Sequence, residues 1–167
     1  MPVGDVKVFI GLGSNLPGEL GSPQQQVTSA LQELDGLPHT QLINASPLYH
    51  SRAVGPEQPD YINAVAQLNT RLEPLALLDA LQAIEQQHRR VRLQHWGPRT
   101  LDLDLLLYGN EIINHPRLTV PHAFLTQRAF VLYPLADLAP ELVLPCGPPL
   151  LPLLANCPTD GLQRFIE

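Results

Sequence analysis

Long apolar runs are missing from this 167-residue chain; the longest, such as Leu105-Leu106-Leu107-Tyr108, are far too short to cross a bilayer. The opening residues lack a basic stretch followed by an apolar one, so no secretory signal is expected. Cysteine is scarce. Cys146 and Cys157 form neither a metal-type spacing nor a disulfide framework, and a reduced, cytoplasmic setting follows as the expectation. Positive charge is in deficit too: ten basic against sixteen acidic side chains leave a net charge of −6. Such a surface argues against nucleic acid or an anionic membrane as the main partner. With 44 % apolar and 16 % charged residues the chain is not of the disordered class, and its length suits one domain over residues 1–167.

Lysine is nearly absent, with Lys7 standing against nine arginines, four of them at Arg89, Arg90, Arg92 and Arg99. Arginine presents a rigid fork of donors that matches phosphate oxygens. The ordinary alternative is a helix end, where cations meet the C-terminal dipole.

Alternating Val6, Val8 and Ile10 predict a first strand, interrupted at Gly11-Leu12-Gly13-Ser14-Asn15. Ser22-Pro23 opens a helix carrying Val27, Ala30, Leu31 and Leu34 and stopping at Gly36. Gln41 to Ser51 read as extended, residues 52–60 as a loop, and Tyr61 to Leu72 as a strand. Glu73-Pro74 begins a second helix, with Leu77, Leu81, Ile84 and Val91 on one face and Gln82, Glu85, Arg89 and Arg92 on another. Leu101 to Tyr108 is a further strand, followed by a turn at Gly109-Asn110, a short helix near 127–137 and a proline-rich tail. The order β-α-β-β-α-β predicts an α+β fold, a ferredoxin-like sandwich with an antiparallel sheet and helices packed on its faces.

Two nucleotide-loop motifs fail. The third glycine of a dinucleotide fingerprint would fall at Leu16, and Glu19 stands where a phosphate loop needs its lysine. What holds is Arg99-Thr100-Leu101-Asp102-Leu103-Asp104-Leu105. Alternation in a strand sends Leu101, Leu103, Leu105 and Leu107 one way and Asp102 and Asp104 the other. Two carboxylates about 7 Å apart along a strand repel unless a cation lies between them. Magnesium is the natural cation, because it takes one or two carboxylates plus substrate phosphates. Beside the arginines this is the equipment of phosphoryl transfer. Without them, solvated aspartates on an exposed edge strand would be an equal reading. Tyr61 and Asn63 share a strand face, and with Trp96, the single tryptophan, they suit a flat heterocycle read along an amide edge.

Phe9 to Leu16, Gly55-Pro56 with Gln58 to Val65, Trp96 to Asp104, Leu118 to His122, Pro134-Leu135 and Ala139 to Leu142 together resemble the 6-hydroxymethyl-7,8-dihydropterin pyrophosphokinases, in the order in which that family carries them. The resemblance implies a folate-pathway enzyme that moves pyrophosphate from ATP to the hydroxymethyl oxygen of a reduced pterin and releases AMP. It implies two Mg2+ ions on Asp102 and Asp104, with Arg92 and Arg99 stabilising the groups in transfer. Gln82, Glu85, Arg90, Arg92, Leu105, Arg117, Thr119, His122 and Arg128 would surround ATP. Ser51, Val54, Tyr61, Asn63, Trp96 and Phe130 would hold the pterin, and loops 12–19, 52–60 and 93–100 would close over both. A monomer acting on small molecules is expected, with no nucleic acid and no membrane as partner. A nucleotidyl transferase and a non-catalytic binding module are the rival readings.

Overall fold

The computed structural model describes residues 5–14, 23–51, 61–89, 101–122, 125, 129–145, 149–155 and 162–164. The chain runs β1 (Val6–Ser14), α1 (Pro23–Asp35), β2 (Thr40–Ala45), β3 (Tyr49–Ser51), β4 (Tyr61–Thr70), α2 (Pro74–Arg89) and β5 (Asp102–Tyr108). It continues through β6 (Ile113–His115), β7 (Leu118–Val120), α3 (Ala129–Leu138), α4 (Leu150–Ala155) and β8 (Leu162–Arg164). The main sheet has the order β5-β1-β4-β3-β8, with β2 also paired to β4, and every pairing in it is antiparallel. This is the ferredoxin-like arrangement expected from the element order, with its second strand divided in two.

The sheet has a core on each face. Val8, Ile10 and Leu12 of β1 pack with Val27, Ala30 and Leu34 of α1 and Leu77, Leu81 and Ile84 of α2. On the other face, Phe9 and Val65 pack with Val131, Leu132 and Leu135 of α3 and with Leu144 and Leu150. Alternation along β1 supplies both cores, which is why its strand signal is so plain. Among the described residues no helix is long and apolar enough to cross a membrane.

Five features differ from expectation. The strand expected to break at Gly11 runs on to Ser14, paired on both edges. The extended stretch from Gln41 to Ser51 is two strands, because Ser46 interrupts the ladder. Its N–H donates to Val65 O at 2.8 Å, and its hydroxyl accepts from Val65 N–H at 2.9 Å. The strand expected to run to Leu72 ends at Thr70, whose hydroxyl accepts from Leu72 N–H at 3.1 Å. In β5, Leu101, Leu103 and Leu105 face the first core as expected, but Leu107 does not: it lies in the second core. A β-bulge is the cause. Phe9 pairs with Leu107 and Ile10 with Leu105, so Leu106 is an extra residue and the alternation reverses there. The proline-rich tail contains α4 and also β8, which pairs with the free edge of β3.

The turn at Gly109 is as expected. Its φ of 54° is left-handed, its N–H donates to Lys7 O at 2.8 Å, and an added Cβ would stand 3.2 Å from Val6. Just before it, Tyr108 is 4 % exposed and its hydroxyl donates to Leu72 O at 2.5 Å.

Two outcomes are expected. Leu81→Ala, at a side chain with 0 % exposure, should lower unfolding free energy in urea by about 2–5 kcal/mol. Burial raises the Tyr108 phenol above its ordinary value of 10.0, and the nearby Glu73 and Glu111 add to the rise. The folded chain therefore keeps a proton that the unfolded chain releases, so stability should fall as pH climbs past about 10. Urea midpoints measured from pH 8 upward should decline less steeply in Tyr108→Phe.

Candidate active site

Residues directly opposite one another on neighbouring strands share a face of the sheet. Asp102 of β5 lies opposite Gly13 of β1, and Gly13 lies opposite Asn63 of β4. One step along, Asp104 faces Gly11, and Gly11 faces Val65. Both carboxylates, both glycines and Asn63 therefore lie on one side, with Tyr61 two residues before Asn63. The expected shared face of Asp102 and Asp104, and that of Tyr61 and Asn63, are both present, and they prove to be the same face.

Gly13 connects the two pairs. A Cβ added there would stand 3.0 Å from the Asn63 side-chain nitrogen and 3.9 Å from the Tyr61 ring. Asn63, with 5 % exposure, thus lies across the backbone of β1 in space that any other residue would occupy. Gly13 itself thus puts no side chain between Asn63 and Asp102.

The carboxylates are partly exposed while Leu103 and Leu105 between and beside them are buried. At the outer edge of β5, Glu85 Oε2 accepts from Leu103 N–H at 2.7 Å, and His122 N–H donates to Leu106 O at 3.0 Å. This return of the chain, just after the cis peptide Val120-Pro121, brings His122 Nε2 to 3.9 Å from Asp104 Oδ1. Arg117, in the β6–β7 turn, donates to Asp79 Oδ1 at 2.5 Å and to Gln82 Oε1 at 3.3 Å, so it meets the exposed side of α2. Thr119 is exposed on β7.

The expected residues are thus sorted by position. Asp102, Asp104, His122, Tyr61 and Asn63 gather on the carboxylate face and its rim. Gln82 and Arg117 meet one another on the outer side of α2. Glu85 bonds to the β5 backbone, and Leu105 points into the opposite core, so its side chain is turned away from the carboxylates. Ser51 pairs with Tyr61 through the backbone, and Phe130, half-buried, packs on the second core. Val54, Arg90, Arg92, Trp96, Arg99 and Arg128, and loops 52–60 and 93–100, lie outside the described residues. Of the expected loop 12–19, residues 12–14 are part of β1. Tyr49 had no sequence signal as a site neighbour. It lies opposite Asn63, and its hydroxyl donates to the Asp137 carboxylate of α3.

Among the described residues no three His, Cys, Asp or Glu side chains converge on a metal site. The donor set on the face is the aspartate pair. That fits a hard cation completing its shell with phosphate oxygens and water, and does not fit an all-protein cage.

Comparisons with known proteins extend this. The family model for 7,8-dihydro-6-hydroxymethylpterin-pyrophosphokinase (HPPK) matches residues 9–140. A 2-amino-4-hydroxy-6-hydroxymethyldihydropteridine pyrophosphokinase of Pseudomonas aeruginosa is 54 % identical over 160 residues, covering 95 % of this chain and 96 % of that protein. One from Haemophilus influenzae is 51 % identical over 141 residues, covering 84 % and 86 %. Among solved structures, an HPPK-DHPS in complex with substrates superposes with a TM-score of 0.71 at 13 % identity, over 92 % of this chain and 43 % of that one. Wild-type Plasmodium falciparum HPPK-DHPS with pteroate gives 0.66 at 14 % identity, over 90 % and 42 %. The chain spans less than half of either, and these two likenesses speak to the fold alone.

By class, then, the protein is a diphosphotransferase on a ferredoxin-like scaffold. It belongs to the 7,8-dihydro-6-hydroxymethylpterin-pyrophosphokinase family, and its activity is the pyrophosphokinase step of folate biosynthesis, with ATP as donor.

Gly13→Ala tests the contact with Asn63. An added methyl group 3.0 Å from the amide must displace it; if Asn63 holds the pterin, as the resemblance implies, the KM for the pterin should rise about tenfold, with thermal stability nearly unchanged. Steady-state kinetics and a melting curve on the same preparation give both readings.

Proposed function

We propose that the Asp102–Gly13–Asn63 row is the line along which the two substrates of this pyrophosphokinase meet. The supporting observation is the register itself, which sets the Asp102 carboxylate and the Asn63 amide on one face, separated only by a residue without a side chain. Two strand spacings span about 9.6 Å. That is room for a ring held at Asn63 and a hydroxymethyl arm reaching toward phosphates held near Asp102.

In this reading Asn63 pairs with the amide edge of the pterin, and Tyr61, Trp96 and Phe130 supply its apolar and aromatic walls, with Ser51 and Val54 contributing backbone. Asp102 and Asp104 hold two Mg2+ ions. Bound there, the ions neutralise the charge of the polyphosphate oxygens. The hydroxymethyl oxygen attacks the β-phosphorus of ATP; a new O–P bond forms, the bond from the β-phosphorus to the α-phosphate oxygen breaks, and AMP leaves as the hydroxyl proton departs. Arg92 and Arg99 stabilise the leaving and transferred groups. Gln82, Glu85, Arg90, Arg117, Thr119, His122 and Arg128 frame the nucleotide, with Leu105 contributing through its backbone, since its side chain is in the opposite core. His122, 3.9 Å from Asp104, supports the placing of phosphate at that end of β5. Loops 52–60 and 93–100 would exclude water, so that ATP is not spent on hydrolysis.

The protein is further proposed to act as a single domain over residues 1–167, as a cytoplasmic monomer whose partners are small molecules. Its acidic balance, with a net charge of −6, supports the absence of nucleic acid and of anionic membrane from that set.

Chromatography of a reaction with ATP, Mg2+ and the reduced pterin should show AMP and the pterin pyrophosphate in equal amounts. ADP as product, or turnover without pterin, would refute the reading. Asp102→Ala and Asp104→Ala should each lower kcat by about a thousandfold or more while the chain stays folded, and chelation of Mg2+ should stop the wild type. Near-normal turnover in either variant contradicts the metal assignment.

A further inference from the structure

The seam between α1 and α2 is aliphatic for most of its length, but its character changes at the last turn of α2. There His88 is 0 % exposed and Gln26 of α1 only 1 %. The imidazole is held at both nitrogens: Nδ1 lies 2.5 Å from Gln26 Oε1 and Nε2 lies 2.8 Å from Glu33 Oε1. The same Glu33 oxygen accepts from the Ser29 hydroxyl at 3.1 Å. Gln26, Ser29 and Glu33 follow one another at three- and four-residue steps, so they form a single stripe on α1 that grips one ring. A carboxylate oxygen only accepts, which puts a hydrogen on Nε2. Nδ1 meets an amide that offers a donor or an acceptor according to its orientation.

Such a cluster is not the obvious way to fill a helix seam. Apolar residues at 26, 33 and 88 together would fill the seam without taking polar groups out of water. Replacing a whole buried polar cluster in that way is often neutral or stabilising, whereas removing one partner alone is costly. What a ring bonded at both ends adds is a rotational setting, since an aliphatic seam tolerates small rotations that directional bonds do not. His88 also stands three residues after Glu85, whose carboxylate accepts the Leu103 N–H between the two aspartates. The end of α2 is therefore held on two sides, to α1 through His88 and to β5 through Glu85.

We infer that His88 is a positioning residue for the nucleotide half of the site. Clasped by Gln26 and Glu33, it sets the rotation of α2 at which Glu85 meets the Leu103 amide, and so holds still the edge on which Asp102 and Asp104 stand. The inference rests on the reading of that aspartate pair as the seat of Mg2+ and ATP.

The test uses the full chain as wild type, His88→Leu, His88→Gln and Glu33→Ala. Binding of Mg2+ with a non-hydrolysable ATP analogue is followed by calorimetry, alongside both KM values and a melting curve. His88→Leu should weaken analogue binding and raise the KM for ATP about tenfold, leave the pterin KM within about twofold, and lower the melting temperature, because the buried Gln26 amide loses its bond to the ring. His88→Gln, which restores a side-chain donor, should recover most of the loss. Should His88→Leu fail to fold, Glu33→Ala decides, with an expected rise in the ATP KM of about threefold and an unchanged pterin KM. Unchanged analogue binding in the variant that decides overturns the inference, as does a parallel loss of both substrates. A wild type that binds the analogue poorly with Mg2+ and releases no AMP would overturn the proposed function and this inference together.

Discussion

β1 is hydrogen-bonded along both edges, to β4 on one side and β5 on the other, and the face shared by Asp102, Asp104, Tyr61 and Asn63 follows from those two registers. Side chains on a strand alternate with a period of two, so a slip by one residue exchanges the faces. Moved by one, Asp102 and Asp104 would enter the core of α1 and α2, and Leu103 and Leu105 would leave it. The cost of burying two carboxylates and exposing two leucines is large enough to exclude that alternative. The aliphatic residues on one face thus determine where the aspartate pair stands on the other.

The edges of the sheet serve the same end. On β5 the outer backbone groups are taken by Glu85 and by His122 N–H, which closes an edge otherwise open to pairing with another chain. On β2 the Leu42 N–H donates to the Asp35 carboxylate at 2.9 Å. At β3 the cover is a whole strand, β8, laid against Tyr49, His50 and Ser51. Two of these closures bring site residues with them: His122 arrives beside Asp104, and the backbone of Ser51 is held between β4 and β8.

Much of the framework is readable from periodicity. The alternation of β1 and β5, the helical spacings of α1 and α2 and the Gly109 turn all follow from local rules, and the face shared by the two aspartates follows from alternation alone. Contacts that depend on pairing across the chain could not be read that way. Nothing near Leu106 announces a bulge, because the extra residue is defined only against Phe9 and Ile10. The role of Ser46 depends on Val65, nineteen residues on, and that of His88 on a stripe of α1 some sixty residues earlier. β8 has no apolar alternation of its own; its pairing surface belongs to β3. The meeting of the Asn63 face with the aspartate face needed the register through Gly13, which from sequence alone reads as part of a break after the strand.

The bulge at Leu106 divides β5 into two stretches of opposite parity. Up to Leu105, odd-numbered residues face α1 and α2; beyond it, Leu107 faces α3 and Tyr108 the first core. The stretch that carries the two aspartates is thereby insulated from its neighbour. Side chains beyond the bulge are free to be repacked against α3, or drift in size over evolution, without transmitting a change of phase to the aspartates, because the reversal has already been absorbed at one unpaired residue.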